Sequence, residues 1–343
     1  MRHQQNIWLL VFAAGGSAPL GYLTTDREGH AVPKQFCSLN GGQSLLQASL
    51  RRARQIAPHR RICVVVDGGD ECYWRPMLQA FPQGNIIVQP RNCGAANGLL
   101  LGVLTILERD PRARVVALPA DHHVLEEKVL IDSVRRGLDS VYRDRDGCLS
   151  DRLLLLGIVP DEGDAALSYV VPGEPIGGGI RDVARFVYRP PASVARDLLG
   201  RGALYNSCIL AGDGTSIVEY IRERYPQIVA GMARRLGLDA CRCPGRSGLA
   251  EFYRNLPTLD WGELGGQGSE AAFCVFTASA CGWSDLATPR RVGNALQRIW
   301  SSPDREPLVG TRGAPPPLNL AAGYARSILA PLEKYQVCAS ADA

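Results

Sequence analysis

Val115-Val-Ala-Leu-Pro-Ala-Asp-His-His123 is a short apolar run that ends in an acid. A continuous apolar run of this length reads as a strand covered on both faces. In an open parallel sheet the carboxyl ends of the strands face the ligand crevice, so Asp121 is expected there. Two other segments belong with it. Val32-Pro-Lys-Gln-Phe36 follows an apolar run and a small-residue loop, and Cys281-Gly-Trp-Ser-Asp-Leu286 supplies a second acid far downstream. A lysine and two carboxylates at strand ends suit phosphate-and-metal chemistry on an α/β sheet.

Working outward, Ile7–Ala14, Ile62–Val66, Asn85–Val88, Arg114–Leu118 and Leu153–Val159 read as strands. Ser44–Ile56, Gly98–Glu108 and Lys128–Tyr142 read as helices between them. This alternation predicts a Rossmann-like, doubly wound, mostly parallel sheet. Beyond residue 160 the pattern changes. Tyr169–Pro172 and Val183–Val187 are expected as strands around a Gly-rich loop, Gly173–Gly179, and Ile209–Leu210 as part of another strand. Ala192–Gly200 and Ser216–Leu236 are expected as helices. The second half therefore adds an antiparallel portion to one side of a cleft. The expected organisation is one domain over residues 1–296, followed by a Pro/Gly-rich segment and a closing helix, Leu318–Tyr335, within 297–343.

Composition excludes several classes. The 343 residues are 46% hydrophobic and 21% charged, with a net charge of +4, which is ordinary for a globular protein. The basic residues are scattered, and pairs such as Arg60-Arg61 and Arg135-Arg136 read as solvated helix faces or ends, so nucleic acid is not an expected partner. Eleven cysteines are irregularly spaced, and Cys241-Arg-Cys243 has no second pair or histidine cluster, so structural zinc is not expected. The apolar run at Ile7–Ala14 is too short to span a bilayer and lacks a signal-peptide cleavage pattern. A cytoplasmic protein with reduced thiols is expected; a homo-oligomer is left open.

Each candidate residue has an ordinary alternative. The Gly15-Gly16-Ser17 turn after the first strand can present backbone N–H groups to phosphate, or can simply be a tight turn; it matches neither a P-loop nor G-x-G-x-x-G. Lys34, held from a stiff position by Pro33, suits phosphate as a compact charge, or can be a solvated surface lysine. Asp121 and Asp285 suit Mg²⁺, which takes one or two carboxylates and completes its shell with phosphate and water; the alternative is two helix caps.

Taken together, Phe12-Ala-Ala-Gly15, Pro33-Lys-Gln-Phe36, Gln89-Pro-Arg-Asn-Cys-Gly-Ala-Ala96, Leu118-Pro-Ala-Asp-His122, Val183-Ala-Arg-Phe-Val-Tyr-Arg-Pro190, Gly202-Ala-Leu-Tyr-Asn-Ser207 and Gly282-Trp-Ser-Asp-Leu286 resemble the sugar-1-phosphate nucleotidyltransferases. The resemblance runs over about residues 7–296 and is closest to the mannose-1-phosphate guanylyltransferases. It implies that GTP and mannose 1-phosphate give GDP-mannose and pyrophosphate, with Mg²⁺ as cofactor. It implies further that Ala14, Gly15, Gly16 and Ser17 hold the nucleotide phosphates, and that Gln89 and Gly94 lie against the base. Lys34 would bind the triphosphate, and Asp121 and Asp285 the metal. Arg189 would face the sugar phosphate from the family's lysine position, with Ser168, Tyr188 and Asn206 around the sugar.

The chain departs from the family pattern inside the site. Ser17 stands at a usual glycine, Pro19 at a usual arginine, Tyr188 at a usual glutamate, Ala95 at a usual threonine, Ser168 and Ala287 at common glycines, and Cys208 at a common glycine or bulky residue. Proline offers neither charge nor a backbone donor; a nearby arginine, such as Arg27 or Arg91, is the candidate to compensate. The alternative to an active transferase is therefore a catalytically impaired homologue that binds nucleotide in a regulatory or assembly role.

Overall fold

The computed structural model describes residues 6–301 apart from 16–19, 21–22, 26–28, 143–148, 150, 238–247, 261–264 and 266–267. The expected Pro/Gly-rich segment at 303–317, the closing helix at Leu318–Tyr335 and the Cys241–Cys243 pair lie outside the described residues. So do Gly16, Ser17, Pro19 and Arg27.

The strands in chain order are β1 (Ile7–Ala13), β2 (Ile62–Asp67), β3 (Ile86–Gln89), β4 (Arg114–Pro119), β5 (His123–Val124), β6 (Leu153–Ile158), β7 (Tyr169–Gly177), β8 (Ile180–Val187), β9 (Leu204–Asp213), β10 (Phe273–Ala278) and β11 (Trp283–Ser284). Nine of them form one sheet in the order β3-β2-β1-β4-β9-β6-β10-β8-β7. The pairs β3–β2, β2–β1, β1–β4 and β6–β10 are parallel, while β9 runs antiparallel to β4 and β6, and β8 to β10 and β7. The expected α/β sheet with an added antiparallel portion is therefore present.

The helices are α1 (Leu45–Ile56), α2 (Glu71–Met77), α3 (Ala95–Arg109), α4 (Glu127–Tyr142), α5 (Ala192–Gly200), α6 (Gly214–Arg224), α7 (Pro226–Arg235), α8 (Leu249–Arg254) and α9 (Pro289–Ser301). Two apolar cores lie on the two faces of the sheet. One gathers residues of α1 and α4 around Leu9, Val11 and Val64; the other gathers residues of α3, α6 and α7 around Leu10, Val65 and Val115. Alternate residues of β1 thus feed opposite cores, which is why the strand is apolar throughout. Gly102 lets α3 press onto β1: a Cβ there would lie 2.4 Å from Leu10 Cδ2.

Two expectations are corrected and one strand is added. The predicted Gly173–Gly179 loop is mostly strand, because β7 continues to Gly177 and turns into β8 through Gly178 and Gly179, both at positive φ. The single helix expected over Ser216–Leu236 is two, since Pro226 cannot continue a helix from Tyr225 and instead opens α7. The apolar β10, unassigned from sequence, pairs in parallel with β6 inside the sheet. No described helix is long and apolar enough to cross a membrane.

α1 begins with a capping box. Gln47 N donates to Ser44 Oγ at 3.2 Å, and Ser44 N donates to Gln47 Oε1 at 2.9 Å. Replacing Ser44 with alanine removes one side of that exchange and is expected to cost about 1 kcal/mol. Urea unfolding would show it as a lower midpoint at an unchanged m-value.

Candidate active site

The site is built where β1 and β4 end side by side. Phe12 and Pro119 are register partners, and Ala120 N donates to Phe12 O at 2.8 Å. Asp121 therefore leaves the sheet next to the Ala14–Gly15 loop. The short helical turn Lys34–Phe36 sits under that loop: Gln35 Nε2 donates to Ala13 O at 3.0 Å and to Gly15 O at 3.2 Å. The second acid arrives through a two-rung antiparallel ladder, with Trp283 opposite Val124 and Ser284 opposite His123. The same register carried one step further sets Asp285 opposite His122.

Lys34 joins the two segments that carry the acids. Its Nζ lies 2.9 Å from Asp121 Oδ2 and donates to the Asp285 carbonyl at 2.6 Å. Burial would raise the Asp121 carboxyl, but Lys34 and then His122 hold it below the usual carboxylate range. His122 Nε2 is 3.6 Å from Asp121 Oδ1, while its Nδ1 accepts from Trp283 Nε1 at 3.3 Å. An accepting Nδ1 carries no proton, so the neutral ring holds its proton on Nε2, toward Asp121. Burial keeps the imidazole below its ordinary pKa despite the nearby acids.

A cavity of about 370 Å³ opens over this cluster, and its lining includes Asp121, Ser168, Tyr188, Arg189, Asn206 and Asp285. Asn206 N donates to Ser168 O at 2.8 Å, pinning β9 to the segment before β7. Tyr188 is 59% exposed at the rim, with the Arg189 guanidinium 5.2 Å from its ring centroid. Cys208 also lines the cavity. Burial pushes its thiol up to about 12, and Asp121 and Asp285 add to the rise. Both carboxylates therefore bear on one point of the wall, and the thiol stays protonated.

Other candidate residues fall elsewhere. Gln89 is buried beneath α3, against Gly98, with Tyr253 Oη 3.5 Å from its Oε1. Gly94 precedes α3 at φ 88°, where a Cβ would lie 2.2 Å from the Leu259 carbonyl oxygen. Its need for glycine thus has a structural source in that close approach. Arg91 donates to the carbonyls of Tyr253, Arg254 and Leu256, so it ties down the 253–256 segment.

Sequence reasoning missed a buried ion network behind Asp285. Arg291, on α9, donates from Nε to Asp285 Oδ1 at 2.7 Å, and its Nη1 lies 3.2 Å from Asp164 Oδ2. Burial opposes charge on this guanidinium, but Asp285, Tyr205 and Asp164 raise its pKa. The Arg290-Arg291 pair looks like any solvated basic pair in sequence, and nothing there signals that its second member is buried.

The donor set can be tested for a metal. Two carboxylates face one polar cavity, and no group of three or more His, Cys, Asp or Glu suited to a metal occurs among the described residues. That suits a hard cation whose other ligands are water and phosphate, and does not suit a four-ligand zinc site. The hydrogen bonds to the Asp285 carboxylate from described residues fall on Oδ1.

Comparison with known proteins finds relatives by sequence and by fold. A mannose-1-phosphate guanylyltransferase of Salmonella typhimurium is 26% identical over 293 residues, covering 82% of this chain and 57% of the relative. Mannose-1-phosphate guanylyltransferase 2 of Escherichia coli O157:H7 is 25% identical over 298 residues, covering 81% and 58%. By sequence, the chain is related to the sugar-1-phosphate nucleotidyltransferases. It spans just over half the length of these relatives. No protein-family model matches it. Among solved structures, one described as a mannose-1-phosphate geranyltransferase from Thermus thermophilus shares the fold with a TM-score of 0.71 at 23% identity, covering 88% of this chain and 81% of that one. The inositol-1-phosphate CTP transferase from T. maritima also shares the fold, with a TM-score of 0.53 at 13% identity, covering 86% and 96%.

The ion pair makes a prediction about acid sensitivity. Because the folded Asp121 carboxyl lies below its unfolded value of about 3.9, its contribution to stability is present above that pH. It is lost as pH falls through the lower folded value. Replacing Lys34 with methionine should raise the Asp121 carboxyl, read by ¹³C NMR titration. An unchanged titration would show that His122 and the backbone alone hold the carboxylate.

Proposed function

We propose that this chain is an Mg²⁺-dependent nucleotidyltransferase that forms a nucleotide sugar, GDP-mannose, and pyrophosphate from GTP and mannose 1-phosphate. The observation that carries this reading is the convergence of Asp121, Asp285, Arg189 and Asn206 on one cavity, with Lys34 paired to the Asp121 carboxylate and hydrogen-bonded to the Asp285 backbone carbonyl. The similarity to named guanylyltransferases supports the choice of base and sugar.

Both substrates are polyanions, so the first task of the site is to offset their repulsion. Lys34 is placed to swing from Asp121 toward triphosphate oxygens, its flexible stem leaving the ammonium free to follow the charge. Arg189 meets the phosphate of the sugar from the rim, and Asn206 and Ser168 offer hydrogen bonds to hydroxyls. Asp121 and Asp285 would hold the Mg²⁺, which supplies charge neutralisation across the phosphates. The sugar-phosphate oxygen then attacks the α-phosphorus in line, its bond to phosphorus forming as the bond to the pyrophosphate oxygen breaks. Such a transfer depends on positioning and charge stabilisation and needs no protein nucleophile. The free cysteines among the described residues support a reducing, cytoplasmic setting.

A second reading is favoured by one sequence feature. Pro19 replaces the loop arginine of the resembled family, and losing a charge contact to the departing group can cost on the order of 10²–10³ in rate. A nucleotide-binding protein with little turnover is the alternative.

A pyrophosphate-release assay across GTP, ATP, UTP and dTTP with several sugar 1-phosphates tests the reaction. GTP with mannose 1-phosphate is expected to be the best pair, with activity abolished by excess chelator. Asp121→Asn and Asp285→Asn should each lower turnover on the order of 10²-fold, since each removes an anionic oxygen ligand. Activity that persists in chelator would refute the metal role.

Pro19→Arg separates the two readings. If the contact is missing, the substitution should raise kcat more than it changes the KM for sugar phosphate, because the charge matters most as pyrophosphate leaves. Ordinary kcat in the unmutated protein would show that another group supplies the charge. Absence of nucleotide binding in both forms would discard the transferase.

A further inference from the structure

The two acids of the cavity are neutralised in different ways. Asp121 is paired with Lys34, whose side chain is 12% exposed and extends from a short turn. Asp285 is paired with Arg291, whose side chain is 4% exposed. An ammonium on a flexible stem can leave its partner when a better anion arrives. The Arg291 guanidinium has no comparable freedom. It is held by Asp164, itself only 6% exposed, and its centre lies 5.5 Å from the Tyr205 ring centroid and 5.6 Å from that of Trp283. Pulling it out would leave the half-buried Asp285 without its cation and the buried Asp164 with Arg290 alone, a costly state.

The network continues outward from Arg291. Arg290 pairs with Glu162 Oε2 at 2.7 Å and with Asp164 Oδ2 at 3.0 Å, and Arg298 pairs with Asp161. Tyr205 Oη donates to Asp161 Oδ1 at 3.1 Å, and Tyr169 Oη donates to the Asp164 carbonyl at 2.9 Å. α9 is thereby locked to the 161–164 segment, and the segment to β7 and β9. Asp285 cannot turn away from the cavity without breaking this lock, and its Oδ1 is already taken by Arg291 Nε and by Ala287 N at 3.2 Å.

We propose that Arg291 is a positioning residue that acts as the permanent counter-ion of Asp285, fixing that carboxylate against the cavity and weakening the hold of the acid pair on a divalent cation. This rests on the reading of Asp121 and Asp285 as cation ligands. A cation would meet Asp285 through Oδ2 alone, with a fixed positive charge behind it. The free protein would then take the ion loosely, and an incoming polyphosphate would supply the charge that completes binding.

The test is Mn²⁺ binding to the full chain without nucleotide, read from the EPR signal of free Mn²⁺, so that turnover plays no part. Arg291→Met removes the counter-charge and should tighten Mn²⁺ binding by about tenfold, the effect of one unit charge on a divalent ion at roughly 6 Å with water-like screening. Arg291→Lys keeps the charge and should stay near the unmutated value. Arg291→Met combined with Asp164→Asn removes one charge of each sign from the buried network. It should still tighten binding, and it guards against a misfolded single variant, with circular dichroism confirming the native state. Asp121→Asn, expected to lose Mn²⁺ binding, checks the underlying cation site. Unchanged affinity in both methionine variants, with binding still dependent on Asp121, would overturn the role of Arg291 while leaving the cation site standing. Absence of Mn²⁺ binding in every form would overturn both.

Discussion

Two rungs of antiparallel pairing, Trp283 with Val124 and Ser284 with His123, hold the site together. A ladder this short has no stability of its own. It persists because its surroundings hold it: Trp283 is buried, stacks edge-on against His122 at 5.1 Å and donates to that ring. Glu126 N extends the contact by donating to the Cys281 carbonyl at 3.0 Å. Beneath it, buried Arg52 reaches the His122 carbonyl at 3.3 Å while paired with Glu127 at 2.8 Å. Without these rungs Asp285 has no reason to lie near Asp121, and the cavity loses one of its acids.

Bringing two carboxylates together sets the electrostatics of everything around them. Like charges at close range disfavour joint ionisation unless cations intervene. Here the cations come from opposite ends of the chain, Lys34 from the turn after β1 and Arg291 from α9. The arrangement leaves the site ionised yet close to balanced. A site of that kind is receptive to a metal and a polyanion arriving together, which is what the proposed reaction requires.

The parts of this layout that were legible in the sequence are those governed by local pattern. Continuous apolar runs marked the parallel strands because each is covered on both faces, and Asp121 was legible because a strand end determines where an acid can point. Lys34 and Asp285 were legible as a charge after the glycine turn and a second downstream acid, and the motif resemblance added their roles. What escaped was whatever depends on partners remote in sequence. Asp164 and Arg291 are ordinary charged residues until the fold buries them together, and no periodicity distinguishes a buried arginine from a solvated one. The two strands of the β7–β8 hairpin were legible, but their extension through 173–182 was hidden by Pro175 and four glycines, residues that weaken a strand signal yet are tolerated near a sheet edge. Gly94 was named from the resemblance as a neighbour of the base, and its need for glycine emerged only in the fold, through the Leu259 backbone.

Backbone strain adds an independent line of argument about the site. Among the described residues, three non-glycines have positive φ: Arg189 at 38°, Cys208 at 56° and Leu286 at 53°. Arg189 and Cys208 line the cavity, and Leu286 follows Asp285 directly. For an L-residue the left-handed region costs roughly 1–2 kcal/mol, so the surrounding structure must over-determine each of these turns. Cys208 shows how. Asn206 Oδ1 accepts from Cys208 N at 3.0 Å, and Ser207 Oγ donates to the Leu156 carbonyl and accepts from Ile209 N at 3.1 Å. These bonds hold β9 in a shape that glycine would adopt without strain, and the chain keeps the shape with a cysteine. A backbone path retained against that cost is one whose geometry matters, here because it sets Asn206 and the cavity wall beside the two acids.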